Sequence, residues 1–287
     1  MPTHNRVDSS FVDRDGITIF YSKWVCKNPI AVVQISHGQG DHRLRYESLA
    51  TEMVEKGFNV YADDHRGHGD TWHGQWGSDP AKFGRPGPRG VNGMVDSIAA
   101  FTELIRKENP GLPLVFLGHS MGSLLGQMSL DKGQLRAEYV VWSGTAYRTL
   151  FGMNAGDLNS KHRSEDGSGH EWLNRDEKAQ RDFRDDPKTF VAKAMRQFGI
   201  FGSLRLLGTP RKAKLDIPIL ILQGGDDALG NEKSVLKLAN RYVASGFSDV
   251  SLIVYPDARH EVYNETNAKQ VRGDLFEWLN ERLKEKR

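Results

Sequence analysis

"LVFLGHSMGSLLGQ", Leu114 to Gln127, sets an apolar run against a serine bracketed by Gly118 and Gly122. Leu114–Leu117 reads as a short buried strand, and a helix is expected from Ser120 to about Leu130. A serine turned out sharply at such a junction needs small residues two positions either side, because the strand and helix backbones approach closely there. The helix would direct backbone N–H groups and a partial positive charge at Ser120. The five residues 118–122 thus mark a nucleophile position, provided that the rest of the chain supplies a base, an acid and an oxyanion site.

The surrounding segments alternate between strand and helix patterns. "AVVQIS" (31–36) reads as a strand that ends at His37-Gly38-Gln39-Gly40, and Tyr46 to Lys56 has helical spacing stopped by Gly57. "FNVYADD" (58–64) is a strand, Asn92 to Asn109 a helix and "YVVWSG" (139–144) a strand. "IPILILQG" (217–224), Glu232 to Ser245, "VSLIVYP" (250–256) and Asn267 to Lys284 continue the alternation. Such a pattern predicts a mainly parallel sheet covered by helices on both faces. "SSFVDRDGITIFYSKWVC" alternates around Asp15-Gly16, a favoured turn pair, and is expected to add an antiparallel hairpin at one edge.

Residues 145–210 interrupt this order with no clear strand. In "RDDPKTFVAKAMRQFGIFG", Asp186 reads as an N-cap and Pro187 as the first helical residue. Phe190, Val191, Ala194, Met195 and Phe198 then share a helical face. The organisation expected is a core of 1–144 and 211–287 with a helical cap insertion at 145–210.

The base and acid candidates lie downstream, at predicted strand ends. Asp226 and Asp227 follow one strand and His260 follows the next. All these groups leave the carboxyl edge of a parallel sheet, where ligands bind in open α/β folds. Spacing alone leaves Asp226 and Asp227 as equal candidates to orient His260. The oxyanion donors expected are the backbone N–H groups of Met121, directly after the nucleophile, and of Gln39 in the His37–Gly40 loop. His65, His68, Asp70 and His73 do not have the spacing of a zinc ligand set, and they read as bracing residues of a loop.

The bulk composition fits a globular chain of 287 residues, 38% hydrophobic and 26% charged. A net charge of +2, with basic residues scattered among acids, gives no footprint for nucleic acid. The basic run Arg211–Lys214 reads as a solvated linker, and the basic end at 282–287 as a helix terminus. Cys26 is the sole cysteine, so no intramolecular disulfide is available. The first residues lack an apolar core of signal-peptide length, and the expected location is cytoplasmic. That reading leaves room for peripheral, transient contact of the cap with a membrane surface; the oligomeric state is unknown from sequence.

Five ordered segments resemble the monoacylglycerol lipase and lysophospholipase branch of the α/β-hydrolases. They are "SHGQGDH", "DHRGHG", "GHSMGS", "LQGGDD" and "YPDARHEVYNE", with a further likeness in "EWLNRDEKAQRDFRDDP". The chain order Ser, Asp, His is also that of the α/β-hydrolases. The resemblance implies an α/β-hydrolase fold with a mostly parallel eight-stranded sheet and a cap. It also implies a serine esterase with a Ser120, Asp227, His260 triad, the family's Gly-x-x-Asp spacing favouring Asp227 over Asp226. The implied substrate is a single-chain acyl ester, monoacylglycerol or lysophospholipid, processed through an acyl-enzyme with no metal or organic cofactor. Phe198, Ile200 and Phe201 of "FGIFG" are candidates for acyl-chain binding, on glycine-flanked backbone that permits movement. Two alternatives remain at this stage: the same triad acting on a lactone, amide or C–C bond, and a non-catalytic binding protein on this scaffold.

Overall fold

The computed structural model describes residues 6–284 except 155, 166 and 213. The extreme basic end, 285–287, and the first five residues lie outside the described range. The strands are β1 (Arg6–Val12), β2 (Thr18–Trp24), β3 (Ala31–Ser36), β4 (Phe58–Asp63), β5 (Leu114–His119), β6 (Tyr139–Ser143), β7 (Ile219–Gly224) and β8 (Val250–Tyr255). They form one sheet in the order β1-β2-β4-β3-β5-β6-β7-β8. The β1–β2 and β2–β4 pairs are antiparallel and the remainder parallel, so the hairpin around Asp15-Gly16 occupies an edge as its sequence implies.

Side chains alternate between two cores. Val33 and Ile35 of β3 and Val115 and Leu117 of β5 face one cluster, together with helices α1 (Glu47–Glu55) and α8 (Ala268–Lys284). Val32, Leu114 and Phe116 face the other, with α3 (Gly90–Glu108), α4 (Met121–Lys132) and α7 (Glu232–Ala244). Burial of central strands on both faces explains their unbroken apolar runs. Helix α2 (Gly69–Trp76) lies within the loop region after β4 and carries no apolar stripe long enough to announce it.

Between β6 and β7 the described residues contain two helices and no strand: α5 (Glu177–Asp185) and α6 (Ala194–Arg205). The expected helix starting at Pro187 does not form. Asp176 is the N-cap of α5 instead, accepting from Lys178 N–H and Ala179 N–H, and Asp186 closes α5 in an extended conformation. Residues 187–193 lie outside any helix because tertiary contacts take their backbone: the Phe190 N–H donates to the Gly40 carbonyl at 3.0 Å. Gly199, at φ 68°, breaks α6 internally.

Candidate active site

β3 and β5 are adjacent and parallel, with Ser36 paired to Gly118, so the His37–Gly40 loop and the serine turn emerge side by side. Gly118 and Gly122 satisfy a demand of contact. A Cβ on Gly122 would stand 2.0 Å from the Ser36 carbonyl oxygen, and one on Gly118 2.8 Å from Ser123 Cα. Ser120 itself adopts φ 50°, ψ −121°, a backbone conformation that L-residues rarely occupy. Strain of this kind persists where the surroundings over-determine it. The Ser120 N–H is held by the Ser143 carbonyl at 2.9 Å, and its carbonyl accepts from the N–H groups of Ser123 and Leu124 at the start of α4. The hydroxyl takes no part in capping that helix.

The two downstream loops bring Asp227 and His260 together. His260 Nδ1 lies 2.8 Å from Asp227 Oδ2, and both side chains are buried. Asp227 also accepts from Gln223 Nε2 at 2.7 Å and, through Oδ1, from the Leu229 N–H at 2.7 Å. Asp226 points elsewhere, forming an ion pair with Lys161. An acceptor-only carboxylate on Nδ1 makes that nitrogen the donor and leaves Nε2 to act on a hydroxyl. His260 Nε2 is buried and has no hydrogen-bond partner among the described residues.

The His260 ring is packed between His119, with centroids 4.9 Å apart, and Trp172 of the insertion, at 4.7 Å. Burial and the neighbouring His260 push His119 down to about 3, so it is neutral at pH 7. Its Nδ1 lies 3.0 Å from Ser143 Oγ. His119 therefore packs beneath His260 and does not titrate beside it.

Other sequence candidates fall into place around this centre. Met121 is buried at the head of α4, directly after Ser120. Gln39 is half-buried and donates from Nε2 to Gln197 Oε1 of α6 at 2.9 Å. His65 and His68 are buried beside His37, with ring centroids 4.1 and 5.2 Å from it, whereas His73 lies on α2. Burial and His65 lower His68 to about 3. His42 is a buried loop residue whose Nε2 lies 2.8 Å from Asp186 of the insertion.

A cavity of about 520 Å³ opens between Gln39 and the insertion, walled by Trp172, His170, Phe183, Phe190 and Val191 among others. Phe198, Ile200 and Phe201 are not among its lining residues. Phe198 is half-buried against the α3–α4 core, while Ile200 and Phe201 are 62% and 82% exposed.

Three residues of the site escaped sequence reasoning. Gln223 is a buried amide in an otherwise apolar strand, a signal that was available: its Nε2 holds Asp227 and its Oε1 accepts from the Thr145 N–H at 2.9 Å. Trp172 is an apolar residue of the insertion whose stacking on His260 no local pattern announces. Glu261, next to His260, accepts two bonds from Arg45, at 2.7 and 2.9 Å, and one from Asn174 of the insertion at 3.0 Å. Burial pushes the Glu261 carboxyl up, but the Arg45 charge and its hydrogen bonds overcome this and hold it at about 2. The chain from 171 to 175 is thereby fastened to the His260 loop, with Arg175 Nε also 2.9 Å from Glu265.

A serine on a strained turn between a central parallel strand and a helix, with acid and histidine loops at the same sheet edge, is the plan of the α/β-hydrolases. The chain belongs to the Hydrolase_4 family, serine aminopeptidase S33, whose model matches residues 27–267. It is 30% identical to the monoacylglycerol lipase of Mycolicibacterium smegmatis, over 97% of this chain and 99% of that one. It is 27% identical to the human monoglyceride lipase, over 94% of this chain and 88% of the relative. Among solved structures, a thermostable carboxyl esterase from Bacillus coagulans superposes with a TM-score of 0.84 at 23% identity, covering 98% of this chain and all (100%) of that one. No helix among the described residues is long and apolar enough to cross a membrane.

Proposed function

We propose that this enzyme hydrolyses single-chain acyl esters of the monoacylglycerol or lysophospholipid type through an acyl-enzyme. The observation that carries the chemistry is His260, whose Nδ1 is bound by Asp227 while the buried Nε2 has no partner. In this scheme Ser120 Oγ attacks the ester carbonyl and His260 Nε2 takes its proton. Asp227 keeps the imidazole in the Nδ1–H tautomer and stabilises the imidazolium. The N–H groups of Met121 and Gln39 receive the oxyanion, and His260 then returns its proton to the departing alcohol. Water, deprotonated by His260, attacks the acyl-serine, and the acid leaves as Ser120 recovers its proton.

The substrate class is supported by full-length similarity to two monoacylglycerol lipases and by the apolar side chains around the cavity. The 145–210 insertion serves as the cap. Met195, Ile200, Phe201 and Leu204 of α6 leave apolar surface exposed, which suits transient contact with a lipid surface. On this reading Phe198, Ile200 and Phe201 meet the acyl chain as it enters, and the cavity beside Gln39 receives it.

A substrate panel tests the proposal: monoacylglycerols and lysophospholipids of graded chain length, beside aminoacyl anilides and lactones. Turnover that rises with acyl length and is confined to esters supports it. A flat profile, or a preference for amides or lactones, contradicts it.

A further inference from the structure

We infer that His37 is a positioning residue for the oxyanion site, orienting the Gly38–Gln39 peptide so that the Gln39 N–H faces the reacting carbonyl. The assignment rests on the proposal that Ser120 is the nucleophile and Gln39 an oxyanion donor.

The argument starts from proton bookkeeping. The His65 backbone N–H donates to His37 Nε2 at 2.9 Å. A backbone N–H is only ever a donor, so Nε2 must be the bare nitrogen, and the single proton of the neutral ring sits on Nδ1. That Nδ1–H lies 2.7 Å from the Gly38 carbonyl oxygen and donates to it. The carbonyl of Gly38 and the N–H of Gln39 belong to one planar trans peptide, in which the two groups point in opposite directions. By anchoring the carbonyl on its own side, His37 turns the Gln39 N–H away from itself.

The nucleophile lies against the same short stretch. A Cβ on Gly38 would stand 3.2 Å from Ser120 Cβ and 3.7 Å from Ser120 Oγ. The peptide that follows Gly38 thus lies between the imidazole and the serine turn, and the bond from His37 to its oxygen fixes the direction of its amide.

The grip is built to be permanent. His37 is buried against the rings of His65 and His68, which lie 4.1 and 5.2 Å away between centroids. Burial, and then the proximity of these two imidazoles, pushes His37 well below its ordinary value, so a second proton does not arrive to expel the His65 N–H. His65 is itself fixed, with Nδ1 3.1 Å from Asp63 and Nε2 3.0 Å from Ser36.

Two substitutions separate these roles. In His37→Asn the side-chain amide occupies the Nδ1 position and keeps a donor for the Gly38 carbonyl. In His37→Gln the amide reaches the Nε2 position, keeping an acceptor for His65 while abandoning Gly38. The experiment measures kcat and KM on a monoacylglycerol, the rate of phosphonylation of Ser120 by an alkyl fluorophosphonate, and the melting temperature. His37→Gln is expected to lose about 100-fold in kcat and in phosphonylation rate, the scale of one oxyanion donor, with KM changed less than about threefold. His37→Asn is expected to keep both rates within about fivefold of wild type although it melts lower. Equal losses in the two variants, or losses that follow melting temperature alone, overturn the assignment. Wild-type protein that is phosphonylated yet hydrolyses no ester refutes the substrate reading while the labelling rates still judge His37. Folded wild type that takes no label refutes the nucleophile, and the role of His37 with it.

Discussion

Asp227 Oδ2 stands 2.8 Å from His260 Nδ1, whereas the adjacent Asp226 is paired with Lys161 on the insertion. Two neighbouring carboxylates at one strand end therefore have different partners, and only one of them can set the tautomer of His260. Asp227→Asn is expected to lower kcat by about 10⁴, because an amide donor at Nδ1 favours the wrong tautomer. Asp226→Asn is expected to stay within a few-fold of wild type, as an exposed ion pair contributes little. Steady-state kinetics of the two variants decide between them; the reverse pattern would assign the acid to Asp226.

Gly40 joins the His37–Gly40 loop to the insertion. It sits at φ 80°, and a Cβ there would lie 2.1 Å from the Phe190 carbonyl oxygen. Gly40→Ala is expected to push 190–192 off the loop and lower kcat by about 10-fold to 100-fold, since small displacements of positioning groups are costly. Unchanged kinetics in a folded variant would show that the contact with Phe190 does not support the site.

Trp172 lies over His260 with centroids 4.7 Å apart and planes inclined by 33°. Removing an aromatic contact of about 1 kcal/mol corresponds to roughly fivefold in rate. Trp172→Ala is expected to reduce kcat by about that factor or more, and Trp172→Phe to restore most of it. If both variants match wild type, the indole only fills space above the histidine.

Glu261 supplies a pH-dependent part of stability. Its folded value of about 2 lies below the ordinary 4.5, so its contribution is fully present above 4.5 and is lost as pH falls toward 2. Glu261→Gln is therefore expected to unfold more easily than wild type at neutral pH, with the gap narrowing steadily below about 4.5. Denaturant titrations from pH 7 to pH 3 measure it; a gap constant across that range would contradict the coupling of Glu261 to Arg45.

The legibility of these features in the sequence follows from their physics. Strands β3 to β7 could be read because central strands are apolar on both faces, and Ser120 because its flanking glycines answer a backbone contact that nearby residues dictate. The Asp226 and Asp227 alternatives differ only in direction at a loop, which spacing does not encode and which family resemblance alone favoured. The insertion was hardest. Asp186-Pro187 has the local chemistry of a helix start, yet 187–193 turns aside to meet Gly40, a partner roughly 150 residues away in the chain. Helix α5 was overlooked because its nine residues bury only Gln180 and Phe183 and so lack an apolar stripe. Trp172 and Glu261 lie in stretches that carry the family likeness, but they act through partners on distant segments, which no local spacing encodes.

The central claim is that Ser120 is the nucleophile of an acyl-ester hydrolase, activated by His260. Peptide mass mapping after reaction with a single-chain alkyl fluorophosphonate tests it most directly. The expected result is one adduct, on Ser120, that abolishes ester turnover and is absent from folded Ser120→Ala and strongly slowed in His260→Ala. An adduct on another residue, or ester turnover that survives in Ser120→Ala, would contradict the account.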